Sequence, residues 1–165
     1  MNFHIKYFVK KILNKLGWDL YRFEPHSSPQ MQIITLLKTK KINVVFDVGA
    51  NIGQFAKDLR SAGYDRDIVS FEPLSRAHIK LLDNSKKDIK WLIHSRCAIG
   101  DKNGKINLNI SQNSVSSSVL SLKDKHLSAA PASAFIATEN VDICKLDSVS
   151  ERYLRSNSKL FIQND

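Results

Sequence analysis

Apolar and polar positions change period several times along the chain, and each change marks an element. Residues 3–16 place Ile5, Phe8, Val9, Ile12, Leu13 and Leu16 at helical spacing, with Lys6, Lys10, Lys11 and Lys15 between them and Gly17 after them. This pattern predicts a basic amphipathic helix with a glycine at its C-cap. Pro25 to Pro29 reads as a linker, and Met31, Ile34, Thr35, Leu37 and Lys38 suggest a second, shorter helix. Ile42 to Val48 is a short apolar, β-branched run stopped by glycine, as a strand buried on both faces requires. A helix over Ile52–Ser61 follows, with Gly63 as its stop. Asp67–Phe71 reads as a second strand, Ser75–Leu82 as a second helix with Ser75 at its N-cap, and Trp91 through Ala98 as a third strand. Strand, helix, strand, helix, strand calls for a parallel sheet with right-handed crossovers.

The rhythm changes at Asp101. Asp101-Lys102-Asn103-Gly104 is turn chemistry, and Lys105–Ile110 alternates polar with apolar, so a hairpin is expected after the third strand. Ser111–Ser121, with its six serines, reads as a loop, and Leu127–Thr138 is small and Ala-rich, interrupted by Pro131. Val141–Leu146 alternates again, Asp147–Leu154 reads as a helix, and Lys159–Ile162 opens a fourth parallel strand. Residues 1–41 are read as a helical extension and residues 42–165 as an α/β domain, a partial parallel sheet of order 3-2-1-4 with the hairpin inserted.

Charge sharpens this division. Of the net +9, +6 lies within residues 1–41, so the first helix suits either the body of the same protein or an anionic membrane surface. Cys97 and Cys144 are far apart in sequence, with neither a Cys-x-x-Cys pair nor a histidine at ligand spacing. Reduced thiols and no metal are expected. With no apolar run of roughly 18 residues and lysines in place of a signal peptide's apolar stretch, the expected location is the cytoplasm, peripheral to the membrane if residues 3–16 bind it.

The chemistry concentrates at the first strand. A glycine turn between a buried strand and a helix brings a ligand close to the backbone. Here the spacing is Gly49-x-x-x-Gly53, without the three glycines of a pyrophosphate turn and without the Gly-Lys-Ser/Thr of a P-loop. Asp47 stands just before the turn, where it would repel a phosphate and attract the ammonium of a methionine moiety. Glu72 closes the next strand 19 residues after Gly53, where a carboxylate can take both ribose hydroxyls. These features together favour S-adenosylmethionine as the cofactor.

Phe46-Asp47-Val48-Gly49-Ala50-Asn51-Ile52-Gly53, Phe71-Glu72-Pro73, Cys97-Ala98-Ile99-Gly100-Asp101 with Gly104, Ser117-Ser118 and Leu146-Asp147-Ser148-Val149 together resemble the FkbM-type methyltransferases. The resemblance runs from about Val44 to the last residue and is most specific at the first motif with Asn51. It implies a class I Rossmann-like fold that moves a methyl from S-adenosylmethionine to a hydroxyl, often on sugars or polyketides. It also implies cofactor contacts at Asp47, Gly49, Asn51, Gly53 and Glu72, with Cys97 and Ala98 near the adenine. The family's aromatic-Leu-Lys-Ile-Asp run is only half kept in Phe161-Ile162-Gln163-Asn164-Asp165, and the family continues beyond this point, so a chain cut short is expected.

Methyl transfer to an alcohol needs an aligned oxygen and a base to remove its proton. Asp165 is preferred for this role over His94 and His126 because it ends the strand beside the cofactor turn. Ser114–Ser118 could close the acceptor side. A sugar, glycan or other small acceptor fits the resemblance. The alternatives are a fragment that binds the cofactor without turnover, and methylation of nucleic acid. The second lacks aromatics arranged along a groove and the Asn/Asp-Pro-Pro-aromatic motif for exocyclic amines.

Overall fold

Val44, Val45, Phe46 and Asp47 are all buried, because the strand that holds them has parallel neighbours on both sides and layers on both faces. In this computed structural model, which describes residues 3–17, 29–111 and 135–164, the central strand β1 is Val44–Val48. It pairs on one side with β2 (Asp67–Phe71), Val44 opposite Asp67 and Val48 opposite Phe71. Beyond β2 lies β3 (Trp91–Ile93). On the other side of β1 lies β7 (Leu160–Asn164), with Val44 opposite Leu160 and Val48 opposite Asn164. All three pairings are parallel, and the order β3-β2-β1-β7 is the expected 3-2-1-4 arrangement, β7 being its fourth strand.

Side chains alternate across this sheet as the pleat demands. One face carries Val45, Ile68, Trp91, Ile93 and Phe161, covered by Ile34 and Leu37 of α2 (Pro29–Thr39), Ala56 and Leu59 of α3 (Gln54–Ser61), and Leu81 of α4 (Ser75–Ser85). The boundary drawn at residue 41 thus falls between α2 and the strand it packs on. The other face carries Val44, Phe46, Val69, Phe71 and Leu160, covered by Cys97, Cys144, Leu146, Val149 and Tyr153. The ring of Phe46 packs edge-on against Phe71 at 5.4 Å and Tyr153 at 6.1 Å.

Two expectations are corrected in the middle of the chain. The run from Trp91 to Ala98 is not one strand: β3 ends at Ile93, and β4 (Ala98–Gly100) belongs to a second sheet. The Asp101–Gly104 turn does not close a hairpin between β4 and the following strand. β5 (Gly104–Ser111) instead pairs antiparallel with β6 (Phe135–Lys145), and β6 lies between β5 and β4, parallel to β4. Turn residues specify a reversal of direction, whereas strand neighbours are chosen by apolar partners. Here Leu108 and Val141 meet over Leu74 and Ala77 of α4. The helix expected over Asp147–Leu154 is shorter, α5 (Leu146–Ser150), and gives way to turns. The Ser114–Ser118 loop and His126 lie outside the described residues.

α1 (Phe3–Lys15) forms as expected, and Tyr7, Phe8, Val9, Ile12 and Leu16, on it and at its end, are exposed.

Truncating Phe46, fully buried between two aromatic rings, creates a cavity that a sheet fixed on both sides cannot close. Phe46→Ala is expected to cost about 3–5 kcal/mol, read as a lower urea midpoint at unchanged slope.

Candidate functional site

The strand order reverses at β1, since the chain continues from it to β2 on one side while β7 lies on the other. In open parallel sheets the crevice at the C-terminal ends of such strands is where ligands bind, and the glycine turn is there. Its backbone is left-handed at alternate residues, Gly49 at φ 80°, Asn51 at 50° and Gly53 at 85°. Glycine takes these angles freely, and asparagine is among the few other residues that tolerate them.

Several distant groups hold this turn. The N–H groups of Gly49 and Ala50 both donate to the Phe71 carbonyl at 3.0 Å. The Asn51 N–H donates to Glu72 Oε2 at 2.8 Å, and the Leu74 N–H donates to Glu72 Oε1 at 2.8 Å. One carboxylate therefore ties the turn to the entry of α4. Asn84, from the far end of α4, donates to the Ile52 carbonyl at 2.8 Å. Gly53 faces the Trp91 indole and Leu81 so closely that a Cβ there would overlap both. Gly53 lets α3 start against the sheet, which is the packing role of a turn's last glycine.

Glu72 is only 4% exposed. Burial pushes its carboxyl above the ordinary value, the Leu74 and Asn51 N–H groups and His78 pull it back, and Glu139 adds to the rise. The ionised form is therefore a cost to the fold. That part of the stability is present below the ordinary carboxylate pKa and is lost as pH climbs through the raised one.

Asp47 lies deeper, 1% exposed, on the face of β1 that looks toward α3. Ser70 Oγ donates to its Oδ2 at 3.1 Å, and Trp91 Nε1 donates to Ser70 Oγ at 2.9 Å. A hydrogen-bond chain thus runs from β3 through β2 to the acid beneath the turn. Cys97 sits apart from this group, its side chain packed among Phe46, Phe71 and Val149 on the opposite face. Burial first, and then the neighbouring Cys144, push the Cys97 thiol up to about 12. Both cysteines are free. Ala98 packs beside Leu74 and Leu108, in the wall that the second sheet builds over the entry of α4.

The model of the methyltransferase FkbM domain matches residues 47–163, more than half of the chain. The chain belongs to the FkbM methyltransferase family. Among solved structures, a candidate RNA methyltransferase from Pyrococcus horikoshii is similar at 19% identity and a TM-score of 0.32, over 44% of this chain and 45% of that one. The chain thus spans less than half of that protein's length. No curated protein matches the chain.

The FkbM domain brings Asp47, Gly49, Asn51, Gly53 and Glu72 together at one turn. Asp165 lies outside the described residues, although β7, which leads to it, runs beside β1 with Asn164 opposite Val48. His94, the second candidate base, is 4% exposed, its Nδ1 2.6 Å from the Tyr153 hydroxyl and its ring 5.2 Å from that of Phe71. Burial first, then Arg152 and His78, hold its pKa below the ordinary histidine value. It belongs to the packing beneath the sheet. Among the described residues no cluster of His, Cys, Asp and Glu could hold a metal. A cavity of about 430 Å³ lined by Leu37, Lys41, Tyr64 and Arg66 lies at the other, N-terminal end of the strands, away from the turn.

Sequence reasoning missed four supports of the site. Ser70 had a signal, a lone hydroxyl in the apolar run Ile68-Val69-Ser70-Phe71, whereas Trp91 and Asn84 had none. The fourth is Glu139 of β6, which accepts from the Ser75 N–H at 3.0 Å and the Ser75 hydroxyl at 2.7 Å, and pairs with Arg96 at 2.7 Å. Ser75 is accordingly not the N-cap of α4: Leu74 holds that position, and Glu139, 64 residues away, satisfies the helix start. Burial works against ionisation of Glu139, but Ser75 and Arg96 outweigh it and hold the carboxyl below its ordinary value.

Gly53→Ala would combine a left-handed backbone with overlap against Trp91. It is expected to lower stability by about 2–4 kcal/mol in chemical denaturation, and Trp91→Phe on the same background, which removes the indole atoms that a Cβ would meet, should recover only part of that loss because the left-handed backbone and Leu81 remain.

Proposed function

We propose that this chain binds S-adenosylmethionine at the Gly49–Gly53 turn and serves methyl transfer to a hydroxyl of a sugar, glycan or other small acceptor. The observation that carries the reading is Glu72, a buried carboxylate at the end of β2 whose two oxygens each accept one backbone N–H. A carboxylate oxygen has a second lone pair, so Glu72 keeps acceptor capacity for a pair of ribose hydroxyls. Asp47 beneath the turn disfavours a phosphate there and favours a cation, and the turn lacks the third glycine of a pyrophosphate site. Family membership supports the same cofactor.

The cofactor supplies an activated methyl on a positively charged sulfur. The chain's part is to orient the donor and to offer a base to the acceptor hydroxyl. Glu72 would hold the ribose, and the left-handed turn would let the ligand approach the backbone. Backbone around Cys97 and Ala98 would border the adenine, and Asp165 would be the base that removes the acceptor hydroxyl's proton.

Calorimetry with S-adenosylmethionine tests the site. Glu72→Ala and Asp47→Ala are each expected to weaken binding at least about tenfold, the loss of a buried charged hydrogen-bond partner. Absence of binding by the intact, folded chain overturns the reading. Because the carboxyl of Glu72 is raised, affinity should be level near neutral pH and fall as pH drops through a value above the ordinary carboxylate range. Glu72→Gln should bind more weakly and lose that pH dependence.

A further inference from the structure

α1 carries its own evidence of a partner. At 3.6 residues per turn, Ile5, Phe8, Val9, Ile12, Leu13 and Leu16 fall on one arc of roughly 140°, and residues 3–17 contain no Asp or Glu. Lys15 borders the arc next to Phe8, Lys6 borders it next to Leu13, and Lys10 and Lys11 lie farther round. Such flanking suits lysines that keep their stems on an apolar surface while their ammonium groups reach an anionic, aqueous layer. Among the described side chains of this arc, Phe8 is 64% exposed, Ile12 44% and Leu16 68%.

We propose that α1 lies in the plane of an anionic lipid bilayer, its apolar arc in the acyl boundary and its lysines at the headgroups. Three observations select this occupant. The helix has thirteen residues, too few for the roughly 20 a span needs, and no described helix is long and apolar enough to cross a membrane. Part of the body's exposed apolar surface stands among lysines rather than acids. Its exposed apolar side chains Ile79, Ile89 and Leu92 stand in sequence among Lys80, Lys86, Lys87 and Lys90. The acids near them, Asp83 and Asp88, are held by Lys86 and Arg60. A second copy would bring the same excess of lysines. Finally, RNA binds through phosphate contacts and stacking aromatics, whereas five of the six side chains on the arc are aliphatic and Phe8 is its one aromatic.

Vesicle co-sedimentation of the full chain tests the proposal. Binding is expected to phosphatidylcholine vesicles containing phosphatidylglycerol and not to phosphatidylcholine alone, and to weaken with salt. Joint replacement of Lys6, Lys10, Lys11 and Lys15 by Glu, and separately Phe8→Asp with Ile12→Asp, should each lower it at least about tenfold. Lys102→Glu, an exposed change outside α1, should leave it unaltered. The thermal midpoint of the body serves as the folding control. Equal binding to both vesicles, or none, overturns the proposal. So does salt-sensitive RNA binding that is lost with the lysines but indifferent to Phe8→Asp and Ile12→Asp. A dimer in light scattering that those two changes dissolve would assign the face to a second copy and overturn it as well.

Discussion

Glu72 is the constraint on which the rest of the site depends. Its carboxylate is nearly removed from water, yet both oxygens are held by backbone N–H groups from opposite sides, Asn51 in the glycine turn and Leu74 at the entry of α4. An unpaired acid at that depth would be costly. The bonds that relieve the cost also set the distance between the β1–α3 turn and the β2–α4 turn. Folding uses one lone pair of each Glu72 oxygen and leaves the other, the one on which the proposed cofactor site rests.

Around this clasp the two sheets divide the labour. The parallel sheet places the turn and the two acids at the C-terminal ends of neighbouring strands, with Asp47 fixed from below through Ser70 and Trp91. The smaller sheet adds a wall: Leu108 and Val141 pack on Leu74 and Ala77, and Glu139 meets the first turn of α4 while holding Arg96. A helix start that would otherwise carry unpaired donors is satisfied by a side chain from another layer. Glu139 in turn raises the pKa of Glu72, so the wall reaches the cofactor clasp electrostatically as well as by packing.

The extension before α2 answers to different physics. α2 is held by burial of Ile34 and Leu37 against the sheet, whereas α1 leaves its apolar arc uncovered. The same amphipathic pattern that makes α1 a helix thus leaves apolar side chains exposed beside an excess of lysines, the two features on which the proposed bilayer contact rests.

Local pattern alone carried the reading a long way. The buried β-branched run of β1, the alternation of strand and helix that follows, and the glycine turn between Asp47 and Glu72 were all legible, because each depends on neighbours within a few residues and on the period of the backbone. The strand order came with the family resemblance, since the same rhythm is shared by other parallel orders. The break between β3 and β4, the insertion of β6 between β4 and β5, and the use of Glu139 as the cap of α4 were not. Those outcomes depend on which apolar faces and which polar groups meet across separations of tens of residues, as Leu74 meets Val141 and Ser75 meets Glu139. Residue type specifies that a helix start needs an acceptor or that an alternating strand needs a partner. Only the packed structure decides which distant residue fills that need, because the choice is made by shape and burial after the local elements have formed.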